Sequence, residues 1–122
     1  PALPGQIERD LMRESLPAKV IYSHHCLLDI LPARAGKGEA ARHVLRCLGL
    51  PDECLIVAGD SGNDADMVRV CRNPIIVANS EPALIEQGRD HAGAFMASRP
   101  YSAGVLEGLL ALTEKHISRS AA

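Results

Sequence analysis
Two carboxylates and a carboxamide crowd into five positions of the segment Ala58-Gly59-Asp60-Ser61-Gly62-Asn63-Asp64. Such groups repel one another unless a cation is present. Mg²⁺ is the natural partner, being hard, oxygen-seeking and commonly held by one or two carboxylates plus phosphate oxygens. Asp, Asn, Ser and Gly are also ordinary turn residues, so a capped turn accounts for the same composition. Position favours chemistry. The segment follows an apolar run, Cys54–Ala58, that reads as a strand covered on both faces. Ligands in open α/β sheets bind at the carboxyl ends of the strands.

A second cluster, Arg34-Ala35-Gly36-Lys37-Gly38, sets one Lys among small residues at the start of a helix. A cation there opposes the helix macrodipole. A bound phosphate would give it a reason to be there, because helix N-termini also accept anions. The alternative is a solvated Lys in a flexible loop, and the GxxxxGK[ST] spacing of a P-loop is absent.

The elements around these clusters follow from periodicity. Residues 5–16 place Ile7, Leu11, Met12 and Leu16 on one helical stripe. Lys19–Ser23 and Leu27–Leu31 read as short strands of a hairpin joined by His24–Cys26. Lys37–Leu48 is a helix closed by Gly49, with Pro51 beyond. After the strand Cys54–Ala58 come a short helix carrying Met67, Val68 and Cys71, and a strand Ile75–Ala78. Next is a helix capped by Ser80, with Pro82 in its first turn and Gly88 at its end. A strand Ala94–Ala97 and a final helix after Ser102 complete the chain. Helices and strands alternating through short loops imply a parallel α/β sheet.

Composition bounds the rest. The 122 residues are 47% apolar and 23% charged, which suits one modest globular unit and excludes wholesale disorder. The aromatics are Tyr22, Phe95 and Tyr101 alone, so aliphatics must fill the core. Net charge is −2, without the basic face and stacking aromatics of a nucleic-acid binder. No apolar run approaches the ~20 residues of a membrane span, and no signal peptide opens the sequence. It begins with Pro1 rather than Met, so an upstream part is expected. Cys26, Cys47, Cys54 and Cys71 form no CxxC pair, which argues against a zinc ribbon and for a reducing cytoplasm. Those in strands and helices are expected to be small buried apolar residues.

Taken together, a Gly36-Lys37-Gly38 helix start and a later strand ending in Gly59-Asp60-Ser61-Gly62-Asn63-Asp64 resemble the haloacid-dehalogenase (HAD) phosphohydrolase superfamily. Lys37 matches its third motif; Asp60, Asn63 and Asp64 match its fourth, GDxxND. Leu28-Asp29-Ile30-Leu31-Pro32, followed by Ala35–Gly38, looks like sucrose-phosphate phosphatase and the related C-terminal domain of sucrose-phosphate synthases. The resemblance implies a HAD-like, Rossmannoid parallel sheet with flanking helices. It would be partial: residues 1–33 as the end of an α+β cap insertion, 34–122 as the second half of the core.

The resemblance also implies a chemistry. An Asp nucleophile in a DxDxT motif attacks phosphorus, splitting one hard step into two, and Mg²⁺ neutralises the transferring phosphoryl group. Asp60 and Asp64 would serve the metal. Lys37 would balance charge on nucleophile and phosphate, with Asp64 holding Lys37 or a metal-bound water. Asn63 would orient the phosphate, and Arg34 would meet phosphate or substrate, or else be solvated. His24 and His25 would lie in the cap turn, as sugar contacts or simply as an exposed turn. No DxDxT occurs in the sequence; its one Asp-x-Asp is Asp64–Asp66. The expectation is therefore a C-terminal fragment of a Mg²⁺-dependent phosphatase for a sugar phosphate such as sucrose 6-phosphate, inactive alone. The alternatives are a non-catalytic module ending a sucrose-phosphate synthase, and another HAD sugar-phosphate phosphatase. The family's first strand lies beside the one ending at Asp60, so its absence implies an open edge for the missing N-terminal half or a second copy.

Overall fold
The computed structural model describes residues 2–120, and the side chains of residues 3–115. Helix α1 (Ala2–Arg13) leads into an antiparallel hairpin of β1 (Ala18–Ser23) and β2 (Leu27–Pro32), paired from Ala18↔Pro32 to Ser23↔Leu27. Helix α2 (Lys37–Leu48) follows, then β3 (Ala58–Gly59), α3 (Ala65–Val70), β4 (Ile75–Ile76), α4 (Pro82–Asp90), β5 (Phe95–Met96) and α5 (Tyr101–Ser120). Strands β3, β4 and β5 are parallel in that order. This is the α/β arrangement expected, a parallel sheet with flanking helices.

Strand alternation sorts the core. Ile75 and Ile76 are both buried. Ile76 packs with Val68 of α3 and Leu84 of α4. Ile75 faces α5, where a Cβ on Gly108 would stand 2.7 Å from its Cγ1. Only glycine lets α5 lie so close to β4. The sheet is thus covered on both faces, as its unbroken apolar strands require. Helix α2 reaches the core through Leu45 and ends at Gly49, whose left-handed φ of 65° lets its N–H return to Arg46 O.

Several local expectations are corrected. Of the expected strand Cys54–Ala58 only Ala58 lies in the ladder, which runs Ala58–Gly59; Cys54 belongs to a 3-10 turn, and β3 has a neighbour on one side only. Ser80 does not cap α4. Its hydroxyl donates instead to Gly59 O, and Glu81 occupies the cap position. Gly88 does not end α4 but lies buried inside it, against Ile76 and Met96. Helix α1 stops at Arg13, short of Leu16, and both Met12 within it and Leu16 beyond it are exposed.

The cysteines also differ from expectation. All four are free, and of those expected in strands and helices Cys47 and Cys54 are exposed and only Cys71 is buried; Cys26, in the hairpin turn, is exposed too. Cys47 shares the outer face of α2 with His43, its Sγ 3.5 Å from Nε2. Cys71 donates to Leu55 O, and burial pushes its thiol pKa up despite backbone hydrogen bonds that act the other way. The thiolate is the reactive form, so burial and the raised pKa slow alkylation together. Native iodoacetamide labelling at mildly alkaline pH should modify three thiols quickly and Cys71 only as the chain opens, read by peptide mass spectrometry.

Candidate functional site
Strand β3 ends at Gly59, and the chain turns sharply through Asp60–Asn63 into α3. The turn is organised by Asp64, whose carboxylate is buried. Its Oδ2 accepts the N–H groups of Asp60 (3.0 Å) and Ser61 (3.3 Å). Its Oδ1 accepts Lys37 Nζ at 2.5 Å. Lys37 also donates to Asn63 Oδ1 at 3.0 Å, and that oxygen takes the Ser61 hydroxyl at the same distance. The two sequence clusters, 26 residues apart, therefore meet side chain to side chain. A cation at the first position of α2 is disfavoured by the helix dipole, but here the Asp64 carboxylate offsets that.

Helix α2 is fixed by a second carboxylate that the sequence reading passed over. Asp66 Oδ2 accepts Gly38 N–H (3.3 Å) and Lys19 Nζ (3.4 Å), joining α3 to the start of α2 and to β1. The contact is so close that Gly36, with φ +154°, has no room for a Cβ: one would fall 1.9 Å from Asp66 Oδ2. The small residues flanking Lys37 thus let its helix start pack against α3.

Both oxygens of Asp64 are engaged, whereas the carboxylate of Asp60, half-buried at the loop, makes no hydrogen bond among the described residues. Asp60 and Asp64 line a cavity of about 180 Å³ together with β3 itself, Val77, Tyr101 and Val105. Tyr101, which the sequence did not single out, takes a left-handed φ of 51° and donates its N–H to Asn79 Oδ1. Among the described residues, no three His, Cys, Asp or Glu side chains converge as a cation site. One open carboxylate on a hard-oxygen loop does fit a Mg²⁺ ion that takes its remaining ligands from water and phosphate.

Arg34 is not brought to this cluster. It is exposed and lines a separate groove of about 260 Å³ with Lys19, Glu39, Asp66 and Arg69. His24 and His25 form the hairpin turn and are exposed, with His24 linked to Glu81. Asp29 is exposed on β2, opposite Ile21.

A parallel sheet with an acidic loop after its strand, and a helix-borne lysine reaching into that loop, is the arrangement of the HAD-like fold. The family model of sucrose-6F-phosphate phosphohydrolase matches residues 1–112, and the chain belongs to that family. The sucrose-phosphatase of Synechocystis sp. PCC6803, solved with sucrose and phosphate, superposes with a TM-score of 0.81 at 28% identity. That match covers 89% of this chain and 46% of that one. The mannosylfructose-phosphate phosphatase of Agrobacterium fabrum is 34% identical over 107 residues, 86% of this chain and 43% of that protein. The glucosylglycerol-phosphate synthase of Pseudomonas anguilliseptica is 33% identical over 94 residues, 77% of this chain and 12% of that protein. The chain spans less than half the length of these relatives.

The Lys37–Asp64 contact yields a direct expectation. Asp64→Asn keeps the shape but places an NH₂ against either the Lys37 ammonium or two backbone N–H donors. With Lys37 half-exposed, the loss should be about 1–3 kcal/mol of stability. Urea unfolding monitored by circular dichroism measures it; a change within error would mean that the buried carboxylate does not organise the loop.

Proposed function
We propose that this chain is the second half of the catalytic core of a Mg²⁺-dependent sugar-phosphate phosphatase, with residues 1–33 as the end of its cap and 34–122 as core. The observation that carries the reading is the convergence of Lys37 on Asn63 and Asp64 beside the open carboxylate of Asp60. The sucrose and phosphate held by the Synechocystis relative support a disaccharide phosphate such as sucrose 6-phosphate as substrate. The mannosylfructose-phosphate phosphatase supports a related sugar as the alternative. Four free cysteines fit a reducing, cytoplasmic setting.

In this reading Asp60 is the metal ligand, and Asp64 stands behind it, holding Lys37 and the loop. Mg²⁺ supplies charge neutralisation at the phosphoryl oxygens when bound. Lys37 adds a positive charge fixed in direction by Asp64, so little reorganisation is needed as charge shifts during transfer. Asn63 can turn its NH₂ towards a phosphate oxygen while its Oδ1 stays on Lys37 and Ser61. Arg34, outside the cluster, would meet only the far side of a larger substrate. The Asp nucleophile and proton shuttle of DxDxT are not among the 122 residues, so the covalent step needs groups from elsewhere.

Phosphate release from sucrose 6-phosphate with Mg²⁺ tests this. The 122-residue chain alone should show no turnover. Joined to a segment bearing DxDxT, it should turn over, and Lys37→Ala or Asp60→Ala should then lower kcat by about 100-fold or more. Turnover by the chain alone that Asp60→Ala abolishes would overturn the half-core reading. The match to a synthase favours a second reading, a non-catalytic phosphatase-like module at the end of a sugar-phosphate synthase. A preceding sequence without DxDxT would select it.

The outer strand β3 is the proposed seat of the missing half or of a second copy. Ile56, just before it, is 37% exposed, and the nearby helices expose Val44, Leu48, Leu106 and Leu110. An unpaired apolar edge templates association. Multi-angle light scattering of the 122-residue chain should therefore find dimers or larger species, and a clean monomer with a cooperative melt would count against this seat.

A further inference from the structure
One carboxylate joins the hairpin turn to the acidic loop. Glu81 Oε1 accepts the His24 N–H at 2.7 Å, and Oε2 accepts the Gly62 N–H at 2.9 Å. Its own backbone N–H donates to Asp60 O at 2.7 Å, so Glu81 grips the loop at two points and the turn at one. The two partners are in backbone contact as well: a Cβ on Gly62 would stand 2.6 Å from Tyr22 O. Ser23, at the end of β1, is buried by this seating.

The turn itself is strained. His24 and His25 both take left-handed φ values, 51° and 57°, without being glycine. Such residues persist only where their surroundings over-determine them. Those surroundings are the Tyr22 hydroxyl, which donates to His25 O, and Glu81, which takes the His24 N–H. His24 Nδ1 lies a further 3.8 Å from Glu81 Oε1. Among the described residues no Lys or Arg side chain has a contact with this carboxylate.

Both partners of Glu81 are N–H donors, so the position needs two acceptors. A carboxylate has two. A carboxamide has one oxygen, and its NH₂ would face a donor. The geometry points to Glu81 as a positioning residue that fixes the height of the His24–His25 turn above the loop carrying Asp60, Asn63 and Asp64. Given the phosphatase reading above, on which this role rests, it sets the spacing between the sugar-side turn and the phosphate-side loop. Glu81 does not touch Lys37; it acts through Gly62, which is followed directly by the two residues that hold Lys37.

Amide hydrogen exchange by NMR on the 122-residue chain tests this, with the Lys37 Nζ resonance as a second readout and neither metal nor substrate added. In Glu81→Ala, protection at His24 and Gly62 should fall about tenfold or more, as for loss of a charge-assisted bond. Ala78, bonded to Arg99 O, should stay within about twofold. In the near-isosteric Glu81→Gln, one of the two amides should keep its protection and the other lose it. The Lys37 resonance should move in both variants, because Asn63 and Asp64 move with Gly62. Equal loss at all three amides, retention of both amides by the Gln variant, or an unmoved Lys37 resonance would each overturn the role. With no substrate present, these results stand apart from the turnover assay, so failure of one does not imply failure of the other.

Discussion
The site depends on one saturated carboxylate. Asp64 accepts from Lys37 on one oxygen and from two consecutive backbone amides on the other. A buried carboxylate is costly unless its oxygens are paired, and here each is. The same bonds bend the chain after β3 into a loop that presents Asp60 outward, and they aim a lysine that its own helix dipole would repel. Loop shape, lysine direction and exposure of Asp60 are three results of one residue's hydrogen bonding.

Around that residue the fold acts as a frame with several braces. Asp66 pins the start of α2 to α3 and to Lys19 of β1. Ser80 ties the end of β4 back to Gly59, and Glu81 ties the same region to the loop and to the hairpin. Each brace is a side chain that holds backbone, and Asp66 takes the Lys19 side chain as well. That matters because the three parallel strands are two residues long and supply few ladder bonds of their own. Hydrogen bonds just outside the ladders, such as Ile75 N–H to Val57 O and Ala97 N–H to Ile76 O, extend them.

Much of this was legible in the sequence because its signals are local. The 3.6-residue period and Gly49 fix α2 at Lys37–Leu48, and unbroken apolar runs locate the parallel strands. The motif residues Lys37, Asp60, Asn63 and Asp64 stand out by type and spacing. What the sequence hid is what depends on distant partners. Ser80 looks like a helix cap because capping serines sit just before such helices, yet its hydroxyl is turned to Gly59 O, 21 residues away, and Glu81 stands at the cap position. Gly88 looks like a terminator, but its absent side chain serves contact with Ile76 and Met96. Asp66 and Glu81 carry no signal at all, since acidic residues beside helix starts are ordinary and their side-chain partners lie 19 to 57 residues away.

The reach of Glu81 bears on the order of folding. Its bond to His24 spans 57 residues, whereas β1 and β2 are joined by a turn of three. Local pairs close at small entropic cost, and long-range ones wait until the intervening chain is compact. The hairpin can therefore zip early, but its turn has no fixed seat until β3, β4 and the start of α4 have assembled. The spacing of the site thus waits on long-range closure, whereas the hairpin strands need only their own short turn.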